Sequence, residues 1–297
     1  MHIPVLKKEA IRLLDVKQNE NYIDATCGRG GHLTAILEEN GPKGKVLGID
    51  ESLEQIKECK LKTKDFGQRA VLVQDNFANL ADIVEKERFG NINGILFDLG
   101  MSSWHLEGSG RGFSFLKKEP LDMRYGQDNQ LTAEKIVNYW SKVELARILK
   151  DYGEERFGER IAEEIIRTRQ ERPVTNTVQL VEAVKRAVPG FYKRQKTHFA
   201  TKTFQALRIA VNDELGSLEK VLPQALDALV EGGRIVVISF HSLEDRRVKN
   251  FFREAAKEGK LEIITKKPVT ASWEEVKENP RARSAKLRAA VKKTINN

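Results

Sequence analysis

At 297 residues the chain exceeds a typical single domain, so a bilobed protein or one domain with a large insertion is the expected organisation. A hydrophobic fraction of 40% against 32% charged residues describes a soluble globular protein, no apolar run approaches the ~20 residues that span a bilayer, and the N-terminus is no signal peptide, so a cytoplasmic location without membrane contact is expected. Two cysteines, Cys27 and Cys59, exclude a disulfide framework and a CxxC metal site, while the net charge of +8 is concentrated in residues 183–212, with seven Lys or Arg, and 281–297, with six, neither stretch carrying an acid; this fits a polyanion-binding face, or else two solvated surfaces.

In chain order, apolar runs at 21–27, 45–50, 70–75 and 92–100 read as buried strands, and the amphipathic segments between them, at 31–40, 52–64 and 77–88, as helices. That alternation predicts an α/β fold with a parallel, doubly wound sheet. Helical patterns follow at 132–153, 155–170, 177–188 and 201–230, with Ser141 and Glu144 at capping-box spacing and Pro189 closing a helix. The next strand is "GGRIVVISF" at 232–240, and closing strands are expected at 261–267 and 286–293. The simplest organisation is a helical insertion between the fourth and fifth strands, with boundaries at 1–111 and 206–297 for the α/β domain and 112–205 for the insertion, the chain rejoining the α/β domain around Phe204.

The stretch "YIDATCGRGGHLTAIL" at 22–37 places a glycine turn, Gly28, Gly30 and Gly31, between a strand and a helix, where a ligand meets the backbone closely and finds free N–H groups. Leu33 stands where a dinucleotide fingerprint has its third glycine, and no Gly-Lys-Ser/Thr ending of a phosphate loop is present. Asp24, late in the first strand, instead gives the arrangement of an S-adenosylmethionine site, with the acid facing the methionine amino group; an ordinary tight turn is the alternative. Asp50, ending the second strand, is placed to accept from both ribose hydroxyls, and Asp75, Asn76 and Phe77, ending the third, to recognise and pack against adenine. Together they outline a nucleoside cofactor across the switch point of the sheet.

The fourth strand ends in "FDLGMSSWHLEGSGRGFSF" (97–115), which brings Asp98, Ser102, Ser103 and Trp104 to the transferred methyl group. Amino-methyltransferases of nucleic acids carry here an Asp, Asn or Ser, two prolines and an aromatic residue, whose acceptors bond an exocyclic amine and whose ring stacks on a flipped base. The prolines are absent from this chain; the polar start and Trp104 remain. Carbon-5 methylation of a pyrimidine needs a cysteine nucleophile, and neither Cys27, in the bend, nor Cys59, in a helical run, stands where that attack occurs. An exocyclic amine needs only acceptors that aim its lone pair and a route for its proton, so amine methylation fits better.

Seven blocks, "HIPVLKKE" (2–9), "DATCGRGGH" (24–32), "DLGMSSWHLEGSGRGFSF" (98–115), "PLDMRYG" (120–126), "TFQALRIAVNDEL" (203–215), "GGRIVVISFHSLEDR" (232–246) and "NPRARSAKLR" (279–288), resemble the signatures of the bacterial ribosomal RNA small subunit methyltransferase H family, also called MraW. The resemblance implies a class I methyltransferase fold with a helical insertion that recognises RNA. It further implies S-adenosyl-L-methionine as donor and N4 of a cytidine in the decoding region of 16S rRNA, in the small ribosomal subunit, as acceptor. Cofactor contacts are implied at Gly30, Gly31, His32, Asp50, Phe77, Asp98 and His105, the last standing where many members carry Gln; Trp104 stands where members vary.

Asp98 is expected to orient the amine or hold the cofactor, Ser102 and Ser103 to accept from the amine or bond within the turn, and His241, just past the fifth strand, to take the released proton or bond the adjacent loop. Arg111, Arg124, Arg208, Arg281, Arg283, Lys286 and Arg288 are the expected phosphate contacts. Intact cofactor positions argue against a non-catalytic ribosome-assembly factor, Leu33 and the basic stretches against an NAD-dependent oxidoreductase, and the basic stretches against a small-molecule methyltransferase. Methylation of another RNA amine stays open.

Overall fold

Consecutive residues on the expected strands are apolar, which requires both faces of the sheet to be covered. The structure of the protein, a computed structural model, describes residues 4–101 and 103–294 and bears this out. Packing divides the chain into two units, one running to Gly100 and resuming at Leu215, the other Met101–Glu214.

The first unit opens with α1 (Lys7–Leu14), β1 (Asn21–Asp24), α2 (Gly31–Glu39), β2 (Val46–Asp50), α3 (Leu53–Lys62), β3 (Ala70–Gln74), a 3-10 turn (Phe77–Asn79) running into α4 (Leu80–Lys86), and β4 (Ile92–Asp98). The second unit is helical: α5 (Ser103–Glu107), α6 (Ala133–Tyr139), α7 (Lys142–Asp151), α8 (Gly158–Glu171), α9 (Thr177–Ala187), α10 (Gly190–Lys193) and α11 (Thr201–Asn212). The chain returns through α12 (Glu214–Ala228), β5 (Leu229–Ser239), α13 (Ser242–Lys257), β6 (Leu261–Ile263), α14 (Trp273–Glu278) and β7 (Lys286–Lys292).

The seven strands form one sheet in the order β3-β2-β1-β4-β5-β7-β6. The first five are mutually parallel, and β7 runs antiparallel to both β5 and β6. This is the class I methyltransferase sheet expected from the resemblance. Alternation along each strand sorts side chains between two cores: Ile23, Leu47, Phe97 and Val237 pack with Leu80, Val221 and Phe252 on one face, while Tyr22, Val46, Leu96 and Val236 pack with Leu14, Leu33 and Ile36 on the other. Strand order reverses between β1 and β4, so the crevice for a ligand lies beyond their carboxyl ends.

The second unit buries Ile136, Leu145, Ile161, Leu180, Val184, Phe204 and Leu207 around its own core. Ser141 and Glu144 exchange both bonds of a capping box at the start of α7, ending the run expected at 132–153 after Tyr139. Asp213, left-handed at φ 46°, divides the expected helix 201–230 into α11 and α12. The expected insertion, 112–205, lies inside this unit, which extends further on both sides; Phe204 packs in the helical core and the α/β unit resumes only at Leu215. Among the described residues no helix is long and apolar enough to cross a membrane.

Gly48, in the middle of β2, has no room for a side chain, since a Cβ there would lie 2.4 Å from Leu33 Cδ1 and 2.8 Å from Leu72 Cδ2. Gly48→Ala is expected to lower stability by about 1–3 kcal/mol through overpacking; an unchanged urea midpoint would show that the strand and α2 separate at no cost.

Candidate active site

The bend after β1 is fastened to the strands on either side. Cys27 N donates to Ile49 O at 2.9 Å, Ala25 N to Leu96 O at 2.9 Å, and Gly28 N to Asp50 Oδ2 at 3.0 Å. Gly28 and Gly30 have φ of +49° and +75°, a region that costs any residue with a Cβ, and a Cβ on Gly30 would meet Cys59 Sγ at 2.9 Å. Pro4 closes over Gly31 in the same way, 2.5 Å from where a Cβ would stand. The glycines therefore serve packing as well as the turn, Gly30 capping α2 and Gly31 opening it.

Three carboxyl groups cap β1, β2 and β4. Asp24 is 1% exposed, and burial, with the charge of Asp50 adding to it, pushes its carboxyl from the usual 3.8 to about 7. Burial likewise raises Asp50 to about 6, against the N–H groups of Ser52 and Gly28 that stabilise its charge. Asp98 is raised well above the ordinary range by burial, then by the charges of Asp24 and Glu244. Its Oδ1 is sealed from solvent and has no hydrogen-bond partner among the described residues, while its backbone N–H donates to Thr26 Oγ1 at 2.6 Å.

His32 sits beside Asp98, 4% exposed, with Nδ1 3.5 Å from Asp98 Oδ2 and Nε2 3.1 Å from Val5 O. A carbonyl only accepts, so Nε2 carries a hydrogen. Nδ1 is then the ring atom that faces Asp98 Oδ2, close enough for the protonation of either group to bear on the other.

A model of the MraW methylase family matches residues 1–293. The chain belongs to that family. It is 45% identical to the ribosomal RNA small subunit methyltransferase H of Heliobacterium mobile over 98% of both chains, and 47% identical to the proteins of the same name from Halothermothrix orenii, over 97% of both, and Thermotoga neapolitana, over 97% of this chain and 95% of that one.

The chain is thus a methyltransferase, and S-adenosylmethionine is its methyl donor. The residues present fit a donor with a cationic sulfonium and a cationic ammonium: Asp24 bears the charge of Asp50 and Asp98 that of Asp24, and positive charge beside them relieves both. Asp50 receives Gly28 N on one oxygen and Ser52 N, at 2.8 Å, on the other, and each oxygen keeps a lone pair for a vicinal hydroxyl.

The remaining expected residues of the methylase fall into two groups. Phe77 packs edge-on against Phe97 at 6.0 Å, its ring partly exposed beside β3. Asp75 is spent locally, its Oδ1 accepting from Asn76 N at 2.7 Å and Asn79 Nδ2 at 2.9 Å. His105, in the second unit, is 5% exposed and ringed by Trp104, Phe113 and Tyr125 at 5.0–5.2 Å. Ser102 and the side chain of Ser103 lie outside the described residues.

Of the two roles expected for His241 the structure shows the local bond: it caps α13, its Nδ1 accepting the N–H of Glu244 at 3.4 Å, with Nε2 3.2 Å from Glu244 Oε1. The lone pair that would receive a proton is committed to the helix, so the ring cannot act as the expected base without uncapping it. Two neighbours that the sequence left unremarked are Thr26, which fixes Asp98, and Ser239, 1% exposed at the end of β5 with an Oγ that lacks a partner among the described residues. Only their position at strand ends signals them.

The expected phosphate contacts are also revised. Arg208 is clamped bidentate on Glu214 at 2.7 and 2.8 Å, and Arg288 on Asp245 at 2.7 and 3.3 Å, both nearly buried. Arg124 makes the same fork on Asp122 and donates to Asn129 O. Arg111 donates to the carbonyls of Arg124 and Tyr125 and lies 5.4 Å over the ring of Trp104, which covers one face of the residue expected to stack on a base. Guanidiniums so engaged are struts of the fold. Arg281 is half-buried, Lys286 stands 3.6 Å from Asp245, and Arg283 is exposed.

A buried carboxyl whose folded value exceeds its unfolded one destabilises the ligand-free chain as pH rises, a penalty that for Asp24 begins near 4 and is complete above about 7. Asp24→Asn is therefore expected to raise the stability of the ligand-free methylase at about pH 8, by on the order of 2–4 kcal/mol, with far less gain at about pH 4, while weakening donor affinity. Equal melting shifts at both values would show that Asp24 is not held protonated by its surroundings.

Proposed function

We propose that the chain methylates the exocyclic N4 amine of a cytidine in the decoding region of 16S ribosomal RNA, within the small ribosomal subunit in the cytoplasm. The observation that carries this reading is Asp98 Oδ1, a buried acceptor without a partner among the described residues, at the end of β4 beside the switch point. An amine N–H answers that acceptor. Cys27 and Cys59 are 3% and 0% exposed, so neither thiol is available for the covalent route to a pyrimidine carbon. The names of the relatives support ribosomal RNA of the small subunit as the acceptor, and the signature blocks support the cytidine amine.

Once bound, the donor supplies a methyl group on a positively charged sulfur. Asp98 Oδ1 accepts one hydrogen of the amine and thereby aims the nitrogen lone pair, with Thr26 Oγ1 fixing the backbone of Asp98. His32, anchored on Val5 O, turns Nδ1 towards Oδ2 at 3.5 Å. Asp98 enters the reaction ionised, and the surplus amine proton passes to its Oδ1, where burial, which raises the carboxyl, favours the protonated form. Asp24 and Asp50 hold the donor.

Asp98→Asn is expected to cut kcat by about 100-fold or more, the size of a lost general base, with affinity for S-adenosylhomocysteine changed less than about threefold. An equal loss of that affinity would reassign Asp98 to holding the donor. For the substrate, labelled donor is incubated with small subunits lacking the modification, and the digested RNA is read by mass spectrometry. N4-methylcytidine at one position is the expected product; label on another nucleoside, or none on subunits and free RNA alike, would reject the cytidine assignment.

A further inference from the structure

Most of the positive charge that the sequence groups at 183–212 is consumed inside the second unit. Lys185 pairs with Glu182, Arg186 with Glu164 and Arg208 with Glu214, and Lys202 Nζ donates to Glu154 O at 2.8 Å. Lys193, Arg194 and Lys196 are left over. Lys193 and Arg194 are exposed at the end of α10, and Arg156 and Arg160 are exposed at the start of α8. Among the described residues none of these four cations has a carboxylate within ion-pair distance.

Phe191, 50% exposed, lies on α10 two residues before Lys193, with the guanidinium of Arg156 over its ring. Its position is fixed from below. The next residue, Tyr192, is 5% exposed and donates its hydroxyl to Glu155 Oε2 at 2.6 Å, while Glu155 Oε1 accepts from Phe157 N at 2.9 Å. Phe157 meets Tyr192 edge-on at 5.0 Å and Phe191 at 6.2 Å. The guanidinium of Arg156 lies 4.7 Å over Phe157 and 5.5 Å over Phe191, and that of Arg160 lies 5.8 Å over Phe157. An exposed ring is thus held on a buried tyrosine and rimmed by cations.

We propose that Phe191, with Arg156, Arg160, Lys193 and Arg194, is a docking platform for single-stranded RNA, a base stacking on the free face of Phe191 and the cations meeting the flanking phosphates. This rests on the reading that the methylase acts on RNA and adds where on the helical unit the strand is held. An acidic peptide would answer the cations and leave the ring idle, and an apolar peptide would cover the ring and strand four charges; RNA presents both groups at the spacing of one nucleotide. Stacking needs an unpaired base, which selects a single strand over a duplex.

The full-length protein is titrated against a fluorescently labelled single-stranded oligoribonucleotide of mixed sequence over a salt series, with binding of S-adenosylhomocysteine measured alongside as the test of intact folding. Phe191→Ala is expected to weaken RNA binding about tenfold at fixed salt with the salt slope unchanged. Arg156→Gln with Arg160→Gln is expected to reduce that slope by about 1.4, two phosphate contacts on a single strand. Absence of RNA binding by the native chain, or native affinity and slope in both variants, overturns the platform; so does a loss confined to the charge variant, which any basic surface would give.

Methylation of small subunits, measured in the same preparations, separates the two readings. RNA binding lost in the variants while the native chain methylates no RNA leaves the platform standing and removes the assigned reaction. N4-methylcytidine formed by variants that bind RNA like the native chain does the reverse.

Discussion

The first unit is organised around three carboxyl groups at the ends of neighbouring strands, Asp24 sealed from water and Asp50 and Asp98 largely withdrawn from it. Burying Asp24, Asp50 and Asp98 together opposes folding, because each is less stable as an anion inside than outside and each raises the cost of the next. The surrounding structure keeps them in place. Gly28 and Ser52 lend N–H groups to Asp50, Thr26 pins the backbone of Asp98, and Val5 orients His32 towards it. Such a site is strained until positive charge arrives, and the sulfonium and ammonium groups of the donor are of the sign that relieves it.

Positive charge is handled in the opposite way. Arg124, Arg208 and Arg288 each answer a carboxylate within their own unit; that pairing leaves the excess of eight positive charges untouched but assigns it to other side chains. An arginine locked in a bidentate pair with a carboxylate is neutral as seen by a phosphate. The surface potential that meets RNA is therefore set by the few cations left unpaired, and their positions carry more information than their number.

Legibility in the sequence followed physical range. The strands and the glycine bend were readable because each is dictated by a few neighbouring residues: unbroken burial along "GILF", and positive φ at Gly28 and Gly30. The limits of the helical unit were not, since the apolar spacing around Phe204 suits a core in either unit and only the left-handed Asp213 marks the break. Roles decided by distant partners were equally hidden: His32 meets a carbonyl 27 residues away, and Arg288 a carboxylate 43 residues away. For His241 the sequence left a catalytic and a structural role open, because imidazole rarely caps a helix and the glutamate three residues on was not recognised as its reciprocal partner.

The position of β7 bears on how the chain assembles as it is synthesised. β7 follows β6 in sequence yet lies between β5 and β6, so until residues 286–292 have emerged β5 presents an open edge and β6 has no neighbour in the sheet. The helical unit is continuous in sequence and is complete some seventy residues earlier, so it can fold on the ribosome while the α/β unit waits for its last strand. Truncations near the carboxyl end should therefore leave a folded helical unit attached to a sheet that recruits foreign strands, making aggregation the cellular consequence of an interrupted message.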